Sequence, residues 1–137
     1  MKFEESKYFH ELNPHKCTLP IGNFYFCEKV CIAEVNEGMH LDSNILLSLM
    51  KELISFYGYN KKLGFISNRI HSYSLDPNLY IELSKEFNII TISALVVYIE
   101  MSFMNASIEK RFSKIKMKRC SSLDQAVEWI LTRKELI

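Results

Sequence analysis

The residues best suited to chemistry lie in one short run, Asn68-Arg69-Ile70-His71-Ser72-Tyr73-Ser74-Leu75-Asp76-Pro77. Arg69 offers a planar fork that grips a carboxylate or phosphate through two parallel N–H donors. Ser72 and Ser74 add hydroxyls, His71 an imidazole and Asp76 a carboxylate. A hydroxyl nucleophile needs a base within reach and a third group to orient that base. His71, Ser72 and Asp76 supply those residue types without a recognised spacing. Neighbours on an extended chain point to opposite sides, so His71 and Ser72 would not meet. The reading is that the chain is not an enzyme, and no catalytic residue is assigned.

The same run can be read as an anion site. Asp76 is a good N-cap, and Pro77 suits a first helical turn, where its missing N–H has no intrahelical partner. The free N–H groups and partial positive charge of a helix start would let Arg69, Ser72 and Ser74 hold a phosphate or carboxylate. The plainer reading, which carries more weight, is that Asp76 already occupies those donors and that Arg69 pairs with Asp76 or a nearby Glu. Tyr73, on the loop, is the best interface candidate among Tyr57, Tyr59, Tyr73 and Tyr80, because aromatic rings with polar tips favour interfaces. The candidate ligand- or partner-binding residues are therefore Asn68, Arg69, Ser72, Tyr73 and Ser74, with Ser72 and Ser74 as weak candidates for phosphorylation.

Other chemistries rank low. His10, His15 and Cys17, or Cys27 and Cys31, lack the paired spacing of zinc sites, so no metal and no cofactor are expected. The basic stretch from Lys110 to Arg119 holds one aromatic residue. Lysines on an outer strand discourage edge-to-edge pairing, and single-stranded nucleic acid would ask for a stack of aromatics.

The elements that position the run follow from periodicity. Residues 1–21 show no sustained period and read as an N-terminal arm or edge segment. Phe24, Phe26, Val30, Ile32 and Val35 form two short runs split by Glu28-Lys29, which suits a β-hairpin. Asp42 caps a helix whose apolar stripe, Ile45, Leu46, Leu49, Met50, Leu53, Ile54 and Tyr57, buries one face. Gly58 stops it, because glycine enters the left-handed region without a Cβ penalty. A strand over 62–66 then delivers the chain to the loop 67–76. A helix follows Pro77, with Leu79, Tyr80, Leu83 and Phe87 on one face. The near-continuous apolar run 89–99 fits a central strand covered on both sides. A helix over 102–113, an alternating strand over 115–120, and a last helix opened by a Ser122–Gln125 capping box complete the chain.

Composition sets the frame. A chain of 137 residues, 48% hydrophobic and 24% charged, builds one core and is too short for two ordinary domains. Residues 22–137 read as that single domain. With 17 basic and 16 acidic side chains the net charge is +1, which gives no global field toward nucleic acid or an anionic membrane. The charged start, Met1-Lys2-Phe3-Glu4-Glu5-Ser6-Lys7, lacks an export signal's apolar stretch, and no run approaches the ~20 residues of a membrane span. The four cysteines are then expected reduced in a cytoplasmic protein.

The order β-β-α-β-α-β-α-β-α argues a mixed, mostly parallel α/β sheet of about five strands with four helices. Over residues 22–133 this order resembles the STAS or SpoIIAA-like fold, and Ser122-Leu123-Asp124-Gln125-Ala126-Val127-Glu128-Trp129-Ile130 is similar to the final segment of many SpoIIAA-like proteins. In anti-sigma-factor antagonists of that family the resemblance would imply a phosphorylatable serine in an Asp-Ser-Ser/Thr-Gly-like stretch. The matching region here, Ser72-Tyr73-Ser74-Leu75-Asp76-Pro77, has no such stretch. The expected function is a non-enzymatic bacterial regulatory or protein-interaction module acting through the loop 67–76, with a protein partner or a second copy of the chain and without nucleic acid or membrane. The alternative is a carrier that holds a small anionic or amphipathic ligand at the same loop.

Overall fold

The computed structural model of the chain describes residues 1–76, 78–79, 88–99, 115–133 and 136. Six strands form one mixed sheet: β1 (His15–Leu19), β2 (Gly22–Phe26), β3 (Val30–Val35), β5 (Leu63–Arg69), β7 (Ile90–Val97) and β8 (Lys116–Cys120), side by side in that order. β1, β2 and β3 pair antiparallel, whereas β3, β5, β7 and β8 run parallel. Two further short strands, β4 (His40–Leu41) and β6 (Ser74–Leu75), pair with each other in parallel, away from the main sheet.

The sixth strand of the main sheet is β1, an edge strand within the stretch 1–21 that the sequence reads as an arm or edge segment. Its side chains alternate only weakly in burial because β1 is an edge strand with polar residues on both sides, so no apolar period marks it. Ahead of it, a 3₁₀ turn (Phe3–Glu5) and a single helical turn α1 (Tyr8–Glu11) fold back over the sheet, burying Phe3 and Tyr8.

The helix α2 (Ser43–Tyr57) forms where the stripe predicts it. Asp42 Oδ1 accepts the Ile45 N–H at 3.0 Å. Gly58, at φ +86°, closes the far end by donating its N–H to the Ile54 carbonyl. The helix α3 (Leu123–Leu131) starts at Ser122, whose Oγ accepts the Gln125 N–H at 3.1 Å. The return bond of the capping box lands one residue early, with Gln125 Oε1 accepting from Ser121 N–H at 2.9 Å. The expected helices over 77–88 and 102–113 lie largely outside the described residues.

Strand alternation divides the core in two. The 3₁₀ turn, α1 and α3 cover one face, packing on Tyr25, Ile32, Ile66, Ile92, Ala94 and Val96. α2 covers the other, with Leu49, Met50 and Leu53 against Phe24, Cys31, Ala33 and Val35. On the first face α3 comes close to β5 at Gly64, where a Cβ would stand 2.6 Å from Ile130 Cγ2. Trp129, half-buried on α3, lies beneath three cations: Lys118 Nζ at 5.6 Å, Lys116 Nζ at 6.0 Å and Arg133 Cζ at 5.6 Å from its ring centre. Among the described residues, no helix is long and apolar enough to cross a membrane.

Candidate functional site

The expected loop begins three residues later than the sequence suggests. β5 continues through Ser67, Asn68 and Arg69, paired in register with Leu95, Val96 and Val97 of β7. A polar ending does not stop a strand whose backbone donors and acceptors are matched on the neighbouring chain. The period of two then separates the candidates. Ser67 and Arg69 project to the α2 side, and Asn68 projects to the side of the N-terminal segment.

On the α2 side lies a cavity of about 450 Å³. Its described wall is largely apolar, with Phe24, Val35, Leu49, Met50, Phe65 and Leu95. Ser67, Arg69 and Tyr73 gather at one part of it, and Asn88, Thr91 and Ser93 add further polar groups to the lining. Arg69 is only 7% exposed. Its Nε donates to Ser67 Oγ at 3.2 Å, and its guanidinium carbon stands 4.8 Å from the Tyr73 ring centre. The Tyr73 hydroxyl meets Ser67 Oγ at 2.7 Å. Delocalised guanidinium charge over an aromatic face is a favourable, weakly hydrated arrangement. A fixed cation at the wall of an apolar cavity suits a ligand with one anionic end and an apolar body.

The two serines do something else. The segment 36–41 is knitted to 70–75 by main-chain bonds from Gly38 N–H to the Ser72 carbonyl (2.8 Å) and from Ser74 N–H to the Met39 carbonyl (2.9 Å). Glu37 Oε2 accepts the Ser72 N–H at 2.7 Å and lies 3.7 Å from His71 Nδ1. Ser74 Oγ meets His40 Nδ1 at 2.8 Å. His71 therefore faces Glu37 rather than Ser72, and the hydroxyl–imidazole contact of this region joins the candidate Ser74 to His40, a histidine outside the run 68–77. The resulting β4–β6 clasp carries Leu41 and Leu75 into the cavity wall.

Asp76 acts locally. Its Oδ1 accepts the Asn78 N–H at 3.0 Å and its carbonyl accepts the Leu79 N–H at 3.0 Å, so the cap fills the donors that an anion would use. Pro77 and Tyr80 lie outside the described residues. Tyr57 donates its hydroxyl to the buried Cys27 carbonyl, and Tyr59 is exposed.

Asn68 belongs to a second polar group on the opposite face. It is 1% exposed, and its Nδ2 donates both to Glu34 Oε2 (2.7 Å) and to the Met1 carbonyl (2.9 Å). Tyr98 donates its hydroxyl to Asn68 Oδ1 at 2.6 Å. Glu34 also accepts the Phe3 N–H at 2.7 Å. Burial, then the negative field of Glu34, pushes the Tyr98 phenol up to about 12. Glu34 was missed in the sequence. Its signal is the parity it shares with Val30 and Ile32, which sets one acid on a core-facing position of an apolar strand.

The histidines and cysteines are dispersed. His10 packs against Phe9, His15 stacks on Phe56 at 5.1 Å, and Cys17 lies on β1 opposite Phe24. Burial pushes the Cys27 thiol up to about 12 and the Cys31 thiol well above its ordinary value. Of the basic stretch, residues 110–114 lie outside the described set, and Lys116 and Lys118 stand over Trp129 on the edge strand β8.

No protein-family model matches the sequence, and no curated protein matches it. Among solved structures, the chain is similar to an uncharacterized protein of the DUF3478 family with a SpoIIAA-like fold from Shewanella loihica PV-4. The match has 12% identity and a TM-score of 0.50, and covers 85% of this chain and 91% of that one. At that identity the likeness is one of fold: the chain has a SpoIIAA-like architecture.

Proposed function

We propose that the domain is a non-catalytic binding module that takes a small amphipathic anion into the cavity between the sheet and α2. The observation that carries this reading is the placement of Arg69. It is the cation in the described cavity wall, held by Ser67 and Tyr73 among apolar side chains. A cavity of about 450 Å³ falls within the usual range of small-molecule sites. A protein partner docking on the loop is the weaker reading, because Asn68 and Arg69 are buried and Ser72 and Ser74 are engaged with the segment 36–41. A regulatory role fits this scheme if occupancy changes the surface around the β4–β6 clasp.

The test is a calorimetric titration with a straight-chain carboxylate of about ten to twelve carbons, beside the alcohol of equal length. The carboxylate is expected to bind at least about tenfold more tightly than the alcohol, a difference of about 1.4 kcal/mol. Equal affinities, or no binding of either, would refute the assignment of Arg69 as the headgroup partner.

A further inference from the structure

The second polar group, on the face away from the cavity, bonds the main chain of the N-terminal segment. Glu34, Asn68 and Tyr98 stand at the carboxyl ends of the parallel strands β3, β5 and β7, which is where open α/β sheets bind ligands. What sits there is the chain's own N-terminal segment, held at four points. Glu34 accepts the Phe3 N–H, and Asn68 donates to the carbonyl two residues earlier. The Phe3 ring is fully buried, 4.9 Å from the Tyr25 ring centre. The next residue, Glu4, takes Lys16 Nζ at 2.9 Å and the Tyr25 hydroxyl. Every one of these receiving groups lies outside residues 1–12.

Two observations set this apart from ordinary packing. Glu34 is the one acidic side chain among the described residues that is buried, on a strand whose other five residues are apolar. A buried carboxylate is costly unless it is bonded, and an apolar residue would cover the face as well. Glu34 Oε2 is bonded by the Asn68 amide from the sheet and by the Phe3 main-chain N–H from the segment. The segment is also joined to β1 by Asn13, at φ +44°, followed by Pro14. A non-glycine residue in the left-handed region directly before proline is an unfavourable conformation, and it sits where the segment meets the sheet.

We propose that the ends of β3, β5 and β7 form a peptide-binding site that residues 1–12 fill in cis. From another molecule it takes a segment carrying an aromatic residue followed directly by an acidic one. The N-terminal segment is then a resident competitor, and weakening its anchor opens the site.

The test uses the full chain and a labelled synthetic peptide of residues 1–12, followed by fluorescence anisotropy. Phe3→Ala in the protein is expected to raise affinity for the peptide at least tenfold over wild type, by weakening the competitor. Adding Glu34→Leu to that variant is expected to reverse the gain, and the peptide carrying Phe3→Ala is expected not to bind. Peptide affinity equal in wild type and the Phe3→Ala protein, or unchanged by Glu34→Leu, overturns the proposal. Should Phe3→Ala fail to fold by circular dichroism, amide exchange of wild type decides. Amides of residues 3–12 exchanging at least tenfold faster than those of β5, at matched intrinsic rates, support a detachable segment. Exchange as slow as β5 makes the segment integral to the fold and overturns it.

Discussion

Asn68 and Arg69, consecutive on β5, serve opposite faces of the sheet: the Asn68 amide holds Glu34 and the N-terminal segment, and the Arg69 guanidinium lies against Tyr73 in the cavity wall. One strand end thus supports two polar groups that share a backbone and no side chain.

Changes at these neighbours are expected to separate. Asn68→Ala leaves the Glu34 carboxylate with one bond fewer in a buried setting, and should cost about 1–3 kcal/mol of stability in denaturant unfolding while the cavity keeps its affinity. Arg69→Met conserves apolar bulk. It should weaken carboxylate binding at least about tenfold. Carboxylate binding weakened as much by Asn68→Ala as by Arg69→Met would contradict the division of faces.

Gly64 has no room for a Cβ, because Ile130 Cγ2 would lie 2.6 Å from it. Gly64→Ala should destabilise the chain by about 1–3 kcal/mol through overpacking of α3 on β5. Ile130→Val removes a different methyl, whereas Ile130→Ala removes Cγ2 itself. The double variant Gly64→Ala/Ile130→Ala should therefore lose less than the sum of the two single losses, a coupling that a double-mutant cycle reads directly.

Hydrogen bonds from Tyr25 and then Lys16 hold the Glu4 carboxyl below its ordinary value of 4.5. A carboxyl depressed in the folded chain adds stability above the unfolded value, and that contribution is lost as pH falls through the folded one. Glu4→Gln should lower the melting temperature at about pH 7, and the gap from wild type should narrow as pH falls below 4.5 and through the depressed folded value. A gap that persists in acid would mean that geometry, rather than charge, is what Glu4 contributes.

Burial raises all four thiols, Cys27 to about 12 and Cys31 well above its ordinary value. Thiolate is the reactive form, so an aromatic disulfide reagent at about pH 8 should modify the native chain far more slowly than the chain unfolded in guanidinium. Cys17, the half-buried thiol, is expected to react first. Fast labelling of Cys31 would require an opening of β3.

Much of this architecture is written in local pattern. The α2 stripe with its Asp42 cap and Gly58 stop, the apolar run of β7 and the Ser122 start of α3 each depend on residues a few positions apart. The candidate sites depend on parity counted to the true end of a strand. Ending β5 at Ile66 leaves Asn68 and Arg69 in one loop cluster, whereas pairing with β7 carries the strand to Arg69 and sends them apart. Likewise β1 exists because β2 offers it an edge, and no period in His15–Leu19 announces that. Glu34 gains its meaning from Phe3, thirty-one positions away, a contact that only the folded chain creates.

The single tryptophan also decides how the chain can be watched. Trp129 sits with its three cations on the α3 side, behind the sheet from the cavity. Its emission should report melting of the α3–β8 seam and stay silent when a ligand fills the opposite side, so an unchanged tryptophan spectrum is no sign of an empty protein.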